Sequence, residues 1–276
     1  MPELPEVETV KRTLEQLILG REIKDVTVHW PKIIKKPIET EQFIDALKGQ
    51  KVEAIDRRGK FLIFYFTDLA MVSHLRMEGK YGLFPKDDPV EKHTHVLFTF
   101  SDGTELRYKD VRKFGTMHLF KKGEEHQSLP LSKLGPEPLS GDFNIAYLYE
   151  ALQKKNRTIK AVLLDQELVV GVGNIYVDEA LFRAKIHPQT IASALTYEEA
   201  DRLVKVIKET LAEAIEQGGS TIRSYINSQG QIGMFQQQLF VYGRNGEQCK
   251  ECGTEIEKLK VAGRGTHICP SCQKPY

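Results

Sequence analysis

The sequence predicts a two-domain α+β protein: an N-terminal antiparallel β-sandwich that begins with a helix, and a C-terminal helical domain that ends in a small cysteine-bearing hairpin. Three observations predict it. Short apolar segments alternate with period two from Ile23 to Phe120, and a proline- and glycine-rich stretch at 128–142 ends that pattern. Beyond it the period lengthens to that of helices, and all four cysteines fall between Cys249 and Cys272. The expected organisation is a β-rich domain over 1–127, a linker over 128–142, a helical domain over 143–237 and a hairpin over 238–276.

In chain order, residues 5–19 read as a helix, with Pro5 suiting its first turn and Gly20 its stop. Leu4, Val7, Val10, Leu14 and Leu17 recur at helical spacing and define a buried face. DVTVHW, KVEAID, KFLIFYF, AMVSHL, KYGLF, HVLFTF, TELRYK and GTMHLF follow as short strands rich in β-branched and aromatic residues, with SDG (101–103) as a hairpin turn. Many short strands at this spacing suit a sandwich. The linker SLPLSKLGPEPLSGD carries three prolines and two glycines. Helical patterns then cover 143–155, about 158–166, 173–184 and 196–217, and a β-type hairpin closes the chain.

A chain of 276 residues has room for two cores, and 41% hydrophobic with 28% charged residues is ordinary for a globular protein. Glu3, Glu6 and Glu8 stand where a signal peptide needs a basic start, and the longest apolar run, Phe61 to Phe66, is too short to span a bilayer. The chain is therefore expected to be intracellular, without a membrane partner. Its net charge is only +1, but between Arg107 and Lys122 six basic residues face one acid, Asp110. Such a cluster suits either a solvated face or a polyanion.

The cysteines form two C-x2-C pairs separated by sixteen residues. Cys249, Cys252, Cys269 and Cys272 match the thiolate spacing of a zinc ribbon, whereas structural disulfides do not suit an intracellular chain and a redox centre needs one pair. One structural Zn2+ is expected, with no open ligand position for catalysis and no organic cofactor. The hairpin it braces contains VAGRGTH (261–267), read as a turn in which Gly263 and Gly265 bend the backbone around Arg264 to meet an anion.

The chain opens MPELPEVE. Trimming of Met1 would give Pro2 a secondary amine; α-amino groups titrate near 7.7–8.0, so roughly a tenth is nucleophilic at pH 7. Together with RRGKFL (57–62), SHLRMEG (73–79), DVRKFGT (110–116), GVGNIYVDEALF (171–182), GGSTIRSYINSQG (218–230) and the GRGTHICPSC tail, this opening resembles the bacterial formamidopyrimidine-DNA glycosylases over essentially the whole chain.

The resemblance implies a base-excision repair enzyme that removes 8-oxoguanine and formamidopyrimidines and then cuts the strand as an abasic-site lyase. It implies Pro2 as the nucleophile that forms a Schiff base, Glu3 as the general acid, Glu6 as a second acidic position, Lys60 in lesion processing and elimination, and Arg264 in δ-elimination. It further implies a helix–two-turn–helix motif with Asn174 on a phosphate, and backbone contacts from His74, His93, Lys155, Tyr242, Lys258 and Arg264. Met77, Arg112 and Phe114 match the residues that fill the gap left by the extruded nucleotide. Arg112 offers only donors, which suit the acceptors of an orphaned cytosine. A lesion-recognition loop is implied over Ser220, Thr221, Ile222, Arg223, Ser224 and Tyr225.

The expected partner is thus double-stranded DNA with an oxidised purine, preferably opposite cytosine. The protein is expected to act as a monomer in the bacterial cytoplasm, associated with the nucleoid. Two other readings share the architecture. Endonuclease VIII-like glycosylases prefer oxidised pyrimidines, but their start typically reads PEGPE and they lack the Met77, Arg112 and Phe114 set. A non-catalytic damaged-DNA-binding homologue would lack Pro2, Glu3 or Lys60, and all three are present.

Overall fold

The computed structural model describes residues 1–220 and 233–275, which form two compact units. The first comprises Met1–Lys133 with Ser220 and Gly233; the second comprises Leu134–Gly219 and the described residues from Met234 onward.

The first unit starts with α1 (Leu4–Ile18), in which Leu4, Val7, Val10, Leu14 and Ile18 form one buried face. Its elements continue as β1 (Ile23–Val28), β2 (Ile34–Lys36), α2 (Thr40–Leu47), β3 (Val52–Arg58), β4 (Phe61–Phe66), β5 (Leu69–His74), β6 (Lys80–Pro85), β7 (Thr94–Phe100), β8 (Thr104–Lys109) and β9 (Thr116–Lys121). Four strands make an antiparallel sheet in the order β1-β7-β8-β6, and five make a second sheet in the order β2-β9-β5-β4-β3. The inner faces share one core with α1, in which Phe43, Phe64, Phe66, Phe98, Phe100, Tyr81 and Tyr108 are fully enclosed. Burying each such aromatic contributes roughly 1.5–3 kcal/mol. The expected sandwich is present.

Two elements depart from the expectation. α2 was not read from the sequence because only Phe43 and Leu47, one helical turn apart, are buried in it. Too little apolar pattern is left to show a period. The second sheet is also not wholly antiparallel, since β2 pairs with β9 in parallel. β2 is a three-residue edge strand, too short for alternation to declare itself.

The second unit holds α3 (Ile145–Gln153), α4 (Ile159–Leu163), α5 (Asn174–Ala184), α6 (Tyr197–Glu216) and the hairpin β10 (Glu257–Val261) and β11 (Arg264–Ile268). α6 starts with a reciprocal cap: the Thr196 hydroxyl accepts from Glu199 N at 3.2 Å, and the Glu199 carboxylate accepts from Thr196 N at 2.9 Å. α4 stops earlier than the periodicity suggests, and just beyond it the Asp165 carboxylate accepts from Glu167 N at 3.1 Å, favouring a turn over another helical residue. The hairpin also differs from expectation. Its turn is Ala262–Gly263, both at positive φ (50° and 74°), while Arg264 and Gly265 already pair in β11 with Val261 and Lys260. Arg264 therefore follows the turn as an extended residue. No helix among the described residues is long and apolar enough to cross a membrane.

Candidate active site

The start of the first unit is built tightly. Pro2, Glu3, Leu4, Pro5, Glu6 and Val7 are all buried, with Glu3 and Glu6 each only 3% exposed. Glu6 Oε2 accepts from Glu3 N at 2.8 Å, which closes the first turn of α1 and satisfies an amide that helix geometry leaves open. Glu6 Oε1 accepts from Ser220 N at 2.8 Å and from the Ser220 hydroxyl at 3.2 Å. One carboxylate thus joins the chain terminus to the first residue of the expected recognition loop. Thr221, Ile222, Arg223, Ser224 and Tyr225 lie outside the described residues.

Lys60 follows Gly59, whose φ of +58° makes the sharp turn between β3 and β4. Lys60 and His74 are both 6% exposed. The His74 imidazole is lowered to about 3, first by burial and then by the Arg76 and Lys60 cations. It is therefore neutral at physiological pH. Its Nδ1 accepts from Arg76 N at 2.9 Å, so Nε2 carries the proton and His74 can serve an anion as a neutral donor.

Met77 and the pair Arg112–Phe114 stand on two loops held against one side chain, Tyr108. A Cβ on Gly79 would come within 2.2 Å of the Tyr108 hydroxyl, and one on Gly115 within 1.8 Å. Only glycine permits either approach. The second loop also folds around Asp110, which is completely buried: Oδ1 accepts from Arg112 N at 3.0 Å, and Oδ2 from Phe114 N at 2.9 Å and Gly115 N at 2.8 Å. With its backbone held, the loop presents Phe114 at 50% exposure, and the exposed Arg112 guanidinium lies over its ring at 4.7 Å. His93 supports this loop through its backbone, since its carbonyl accepts from Asp110 N at 3.0 Å.

The basic cluster seen in the sequence is thinner in three dimensions. Arg107 is 3% exposed and is spent on Glu105 and on the carbonyls of Pro85, Asp88 and Pro89. Lys109 pairs with Glu91, and Lys122 with Glu53. Arg112 and Lys113 remain at the loop, with the Lys113 ammonium 4.0 Å from the Trp30 ring centroid.

In the second unit, Asn174 opens α5 and its Nδ2 donates to the Gly265 carbonyl at 2.9 Å. The positive end of α5 and the hairpin bearing Arg264 are thereby brought together, an arrangement suited to phosphate. Arg264 and Lys258 are exposed, and Lys258 pairs in register with His267. Tyr242 meets the His267 ring edge-on at 5.0 Å. Lys155 lies in the loop after α3, where its backbone bonds Leu152 and Ser193; nothing there connects it to the Asn174–Arg264 group.

Sequence reasoning missed the residues that hold these groups. Glu179 is fully buried on α5 and accepts from Phe240 N, Val241 N and Tyr242 N at 2.8–2.9 Å. Burial raises its carboxyl above the usual range, opposed by those three donors. Beside it, Asp178 meets Lys160 and accepts from His267 N. The signal was there: charged residues inside the apolar runs NIYVDEALF and IKAVLL have no surface to occupy.

The four cysteine sulfurs lie within 4.8 Å of one another. Zn–S bonds of about 2.3 Å in a tetrahedron put sulfurs roughly 3.8 Å apart, so this set fits the metal. Cys249 and Cys269 are buried with Val241, Ile256 and Phe182 of α5, so the cysteine-bearing hairpin shares a small core with that helix.

Three family models match the chain: the formamidopyrimidine-DNA glycosylase N-terminal domain over residues 1–117, the H2TH domain over 134–226, and the zinc finger found in FPG and IleRS over 246–275. The chain is 63% identical over 274 residues to the formamidopyrimidine-DNA glycosylase of Bacillus licheniformis, covering 99% of this chain and 100% of that one. The Bacillus subtilis enzyme of the same name is 61% identical over 273 residues, with 99% of each covered. Among solved structures, the Lactococcus lactis Fpg complex with abasic-site DNA superposes with a TM-score of 0.93 at 46% identity, covering 99% of this chain and 100% of that chain. A complex of the Lactococcus lactis protein with FAPY-dG-containing DNA gives a TM-score of 0.92 at 45% identity, with the same coverage. With the zinc-finger match and the cysteine cluster, the hairpin holds one structural zinc ion.

Two outcomes follow from the geometry. Cys249→Ser removes a ligand that is also part of the hairpin core, so metal analysis should find the zinc lost, and proteolysis should cut the chain beyond Val241 first. His74 and His118, the latter lowered to about 4 chiefly by burial, bind protons in the unfolded chain below their ordinary value of 6.5 but not in the folded one. Stability should therefore fall as pH drops from about 6.5 toward 3. Urea denaturation at a series of pH values should show a shallower decline in His74→Gln.

Proposed function

The chain belongs to the formamidopyrimidine-DNA glycosylase family, and from that premise we propose that Pro2 of this DNA base-excision repair glycosylase attacks C1′ of the damaged nucleotide. The observation that carries this reading is the buried terminus. Chain ends are ordinarily loose, yet here residues 2–7 are enclosed and two carboxylates are built into the same turn.

Once Met1 is removed, the Pro2 nitrogen is a secondary amine with a lone pair. It bonds to C1′ as the bond from C1′ to the purine nitrogen breaks; the base leaves with that electron pair and takes up a proton, and the new tertiary amine gives up its N–H proton, which restores the lone pair. Protonation of the ring oxygen by Glu3 opens the sugar and leaves a permanently charged iminium. The iminium acidifies C2′–H; loss of that proton sends electrons toward nitrogen and expels the 3′ phosphate. A further proton loss from C4′ expels the 5′ phosphate, and hydrolysis of the C=N bond frees Pro2. Glu6 orients this terminus and ties it to Ser220. Lys60 supplies a cation and serves elimination, and His74 adds a neutral donor to a phosphate.

The main-chain end of α5 at Asn174 and the guanidinium of Arg264 grip a phosphate, and Tyr242 and Lys258 extend that contact. Met77, Arg112 and Phe114 fill the gap left by the extruded nucleotide, with Arg112 donating to O2 and N3 of the orphaned cytosine. The substrate is duplex DNA carrying 8-oxoguanine or a formamidopyrimidine opposite cytosine, and Ser220 opens the loop that reads the lesion. Zinc takes no part in bond making; its four thiolates keep β10 and β11 in place. The enzyme works as a monomer in the cytoplasm, at the nucleoid.

Borohydride added during turnover should reduce the iminium and fix DNA to the first residue, which peptide mass mapping locates. Protein retaining Met1 should form no trapped complex while still binding damaged DNA, because an amide nitrogen has no lone pair to give; trapping at the usual rate would move the nucleophile to a lysine, with Lys60 first. Arg112→Ala should reduce the preference for cytosine over adenine opposite the lesion by about tenfold, one good base contact, with cleavage of a preformed abasic site little changed. Excision assays against the four opposing bases measure this directly.

A further inference from the structure

Lys160 is the most thoroughly buried cation of the second unit: its side chain is 0% exposed, as is that of Asp178, and the two meet at 2.6 Å. Such a pair is costly to desolvate and replaceable by apolar side chains without loss of stability, so stability alone does not account for it. Its other contacts are informative. The Lys160 ammonium also donates to the Thr266 hydroxyl at 2.8 Å and to the Gly265 carbonyl at 3.2 Å. The Thr266 hydroxyl in turn donates to the Arg264 carbonyl at 3.1 Å, and Asp178 Oδ2 accepts from His267 N at 2.9 Å. The Gly265 carbonyl that receives Lys160 is the one that receives Asn174 Nδ2.

We propose that Lys160 and Asp178, acting through Thr266, are positioning residues for strand cleavage: they fix the backbone of Arg264–His267 against the start of α5, and so fix where the Arg264 guanidinium stands relative to Asn174. Arg264 projects into solvent just after a two-residue turn, and without this clamp its end of the hairpin keeps the two-stranded ladder and the single Asn174 bond to the Gly265 carbonyl. The Gly265 carbonyl and the Thr266 hydroxyl reach Lys160, and His267 N reaches Asp178, so the three residues after Arg264 all close on one fully buried pair. The zinc ligands at Cys269 and Cys272 brace the far end of β11; Lys160 and Asp178 brace the end that works. This inference rests on the assignment of Arg264 to phosphate contact and δ-elimination.

The test is the partition of products from each turnover, β-elimination alone against β,δ-elimination. A fraction of misfolded enzyme lowers every product alike and leaves this ratio untouched, so a merely structural role does not move it. Thr266→Val keeps the shape of a side chain that is fully buried and removes one relay hydrogen bond. It should lower the share of δ-product relative to β-product by about 5- to 10-fold, the equivalent of one hydrogen bond, with zinc content and base-excision kcat near those of the unaltered protein. Thr266→Ser should restore the ratio, and Asp178→Asn should move it in the same direction as Thr266→Val. Arg264→Ala serves as the reference. An unchanged ratio in Thr266→Val overturns the positioning role, whatever the reference does. An unchanged ratio in Arg264→Ala overturns the assignment of Arg264 itself.

Discussion

A carboxylate taken out of water must be surrounded by donors, because the interior offers nothing else to offset its lost hydration. This protein meets that constraint largely with main-chain N–H groups. Glu6 takes those of Glu3 and Ser220; Asp110 takes those of Arg112, Phe114 and Gly115; Glu179 takes those of Phe240, Val241 and Tyr242; Asp178 takes that of His267. Glu6, Asp178 and Glu179 stand on helices, and Asp110 stands just beyond the end of β8. Since amide donors are directional, each carboxylate dictates the path of the loop around it. Arg112 and Phe114 can then remain exposed while their backbone is held from within.

The same economy explains a DNA enzyme with a net charge of only +1. Affinity for a polyanion depends on the cations that reach phosphates, and each such contact also deepens the salt dependence of binding. Arg107 and Lys160 are spent inside the protein, and Lys109 and Lys122 on surface acids. Arg112, Lys258 and Arg264, by contrast, stand exposed at defined points. A surface of this kind favours register on the duplex over indiscriminate adhesion.

Most of the architecture was legible in the sequence because its signals are local. Alternation at 61–66 and 94–100, helical spacing from Leu4 to Leu17 and paired cysteines each need only neighbouring residues to be read. α2 escaped because two buried residues do not make a period, and the parallel β2–β9 pair because parallel pairing is a long-range fact with no local mark. The candidate contact residues sit in recognisable motifs, whereas the groups that hold their loops carry no such mark. Asp110 looked like a lone acid diluting a basic cluster, though its buried carboxylate shapes that loop. Arg107 looked like part of the cluster, though its guanidinium faces inward. Charge counts along a chain cannot distinguish a cation aimed at solvent from one consumed by carbonyls, because that depends on which strand edge lies opposite.

Asp178 and Glu179 are consecutive on α5, and consecutive residues of an α-helix point about 100° apart. One grips β11 and the other grips the bend at 240–242. A helix held by a single anchor can swivel about its axis; held by two at this angle, it is keyed like a shaft. The segment from Gly243 to Ile256 runs between those two attachments and carries the first zinc pair. Its outer turns, at Gly246 and at Gly253, have open space around them. Gly253 follows Cys252 and its N–H bonds the Cys249 carbonyl, so the metal needs that turn intact; residues grafted at Gly246 would leave both keys engaged, making that turn the natural place for the module to accept a reporter peptide.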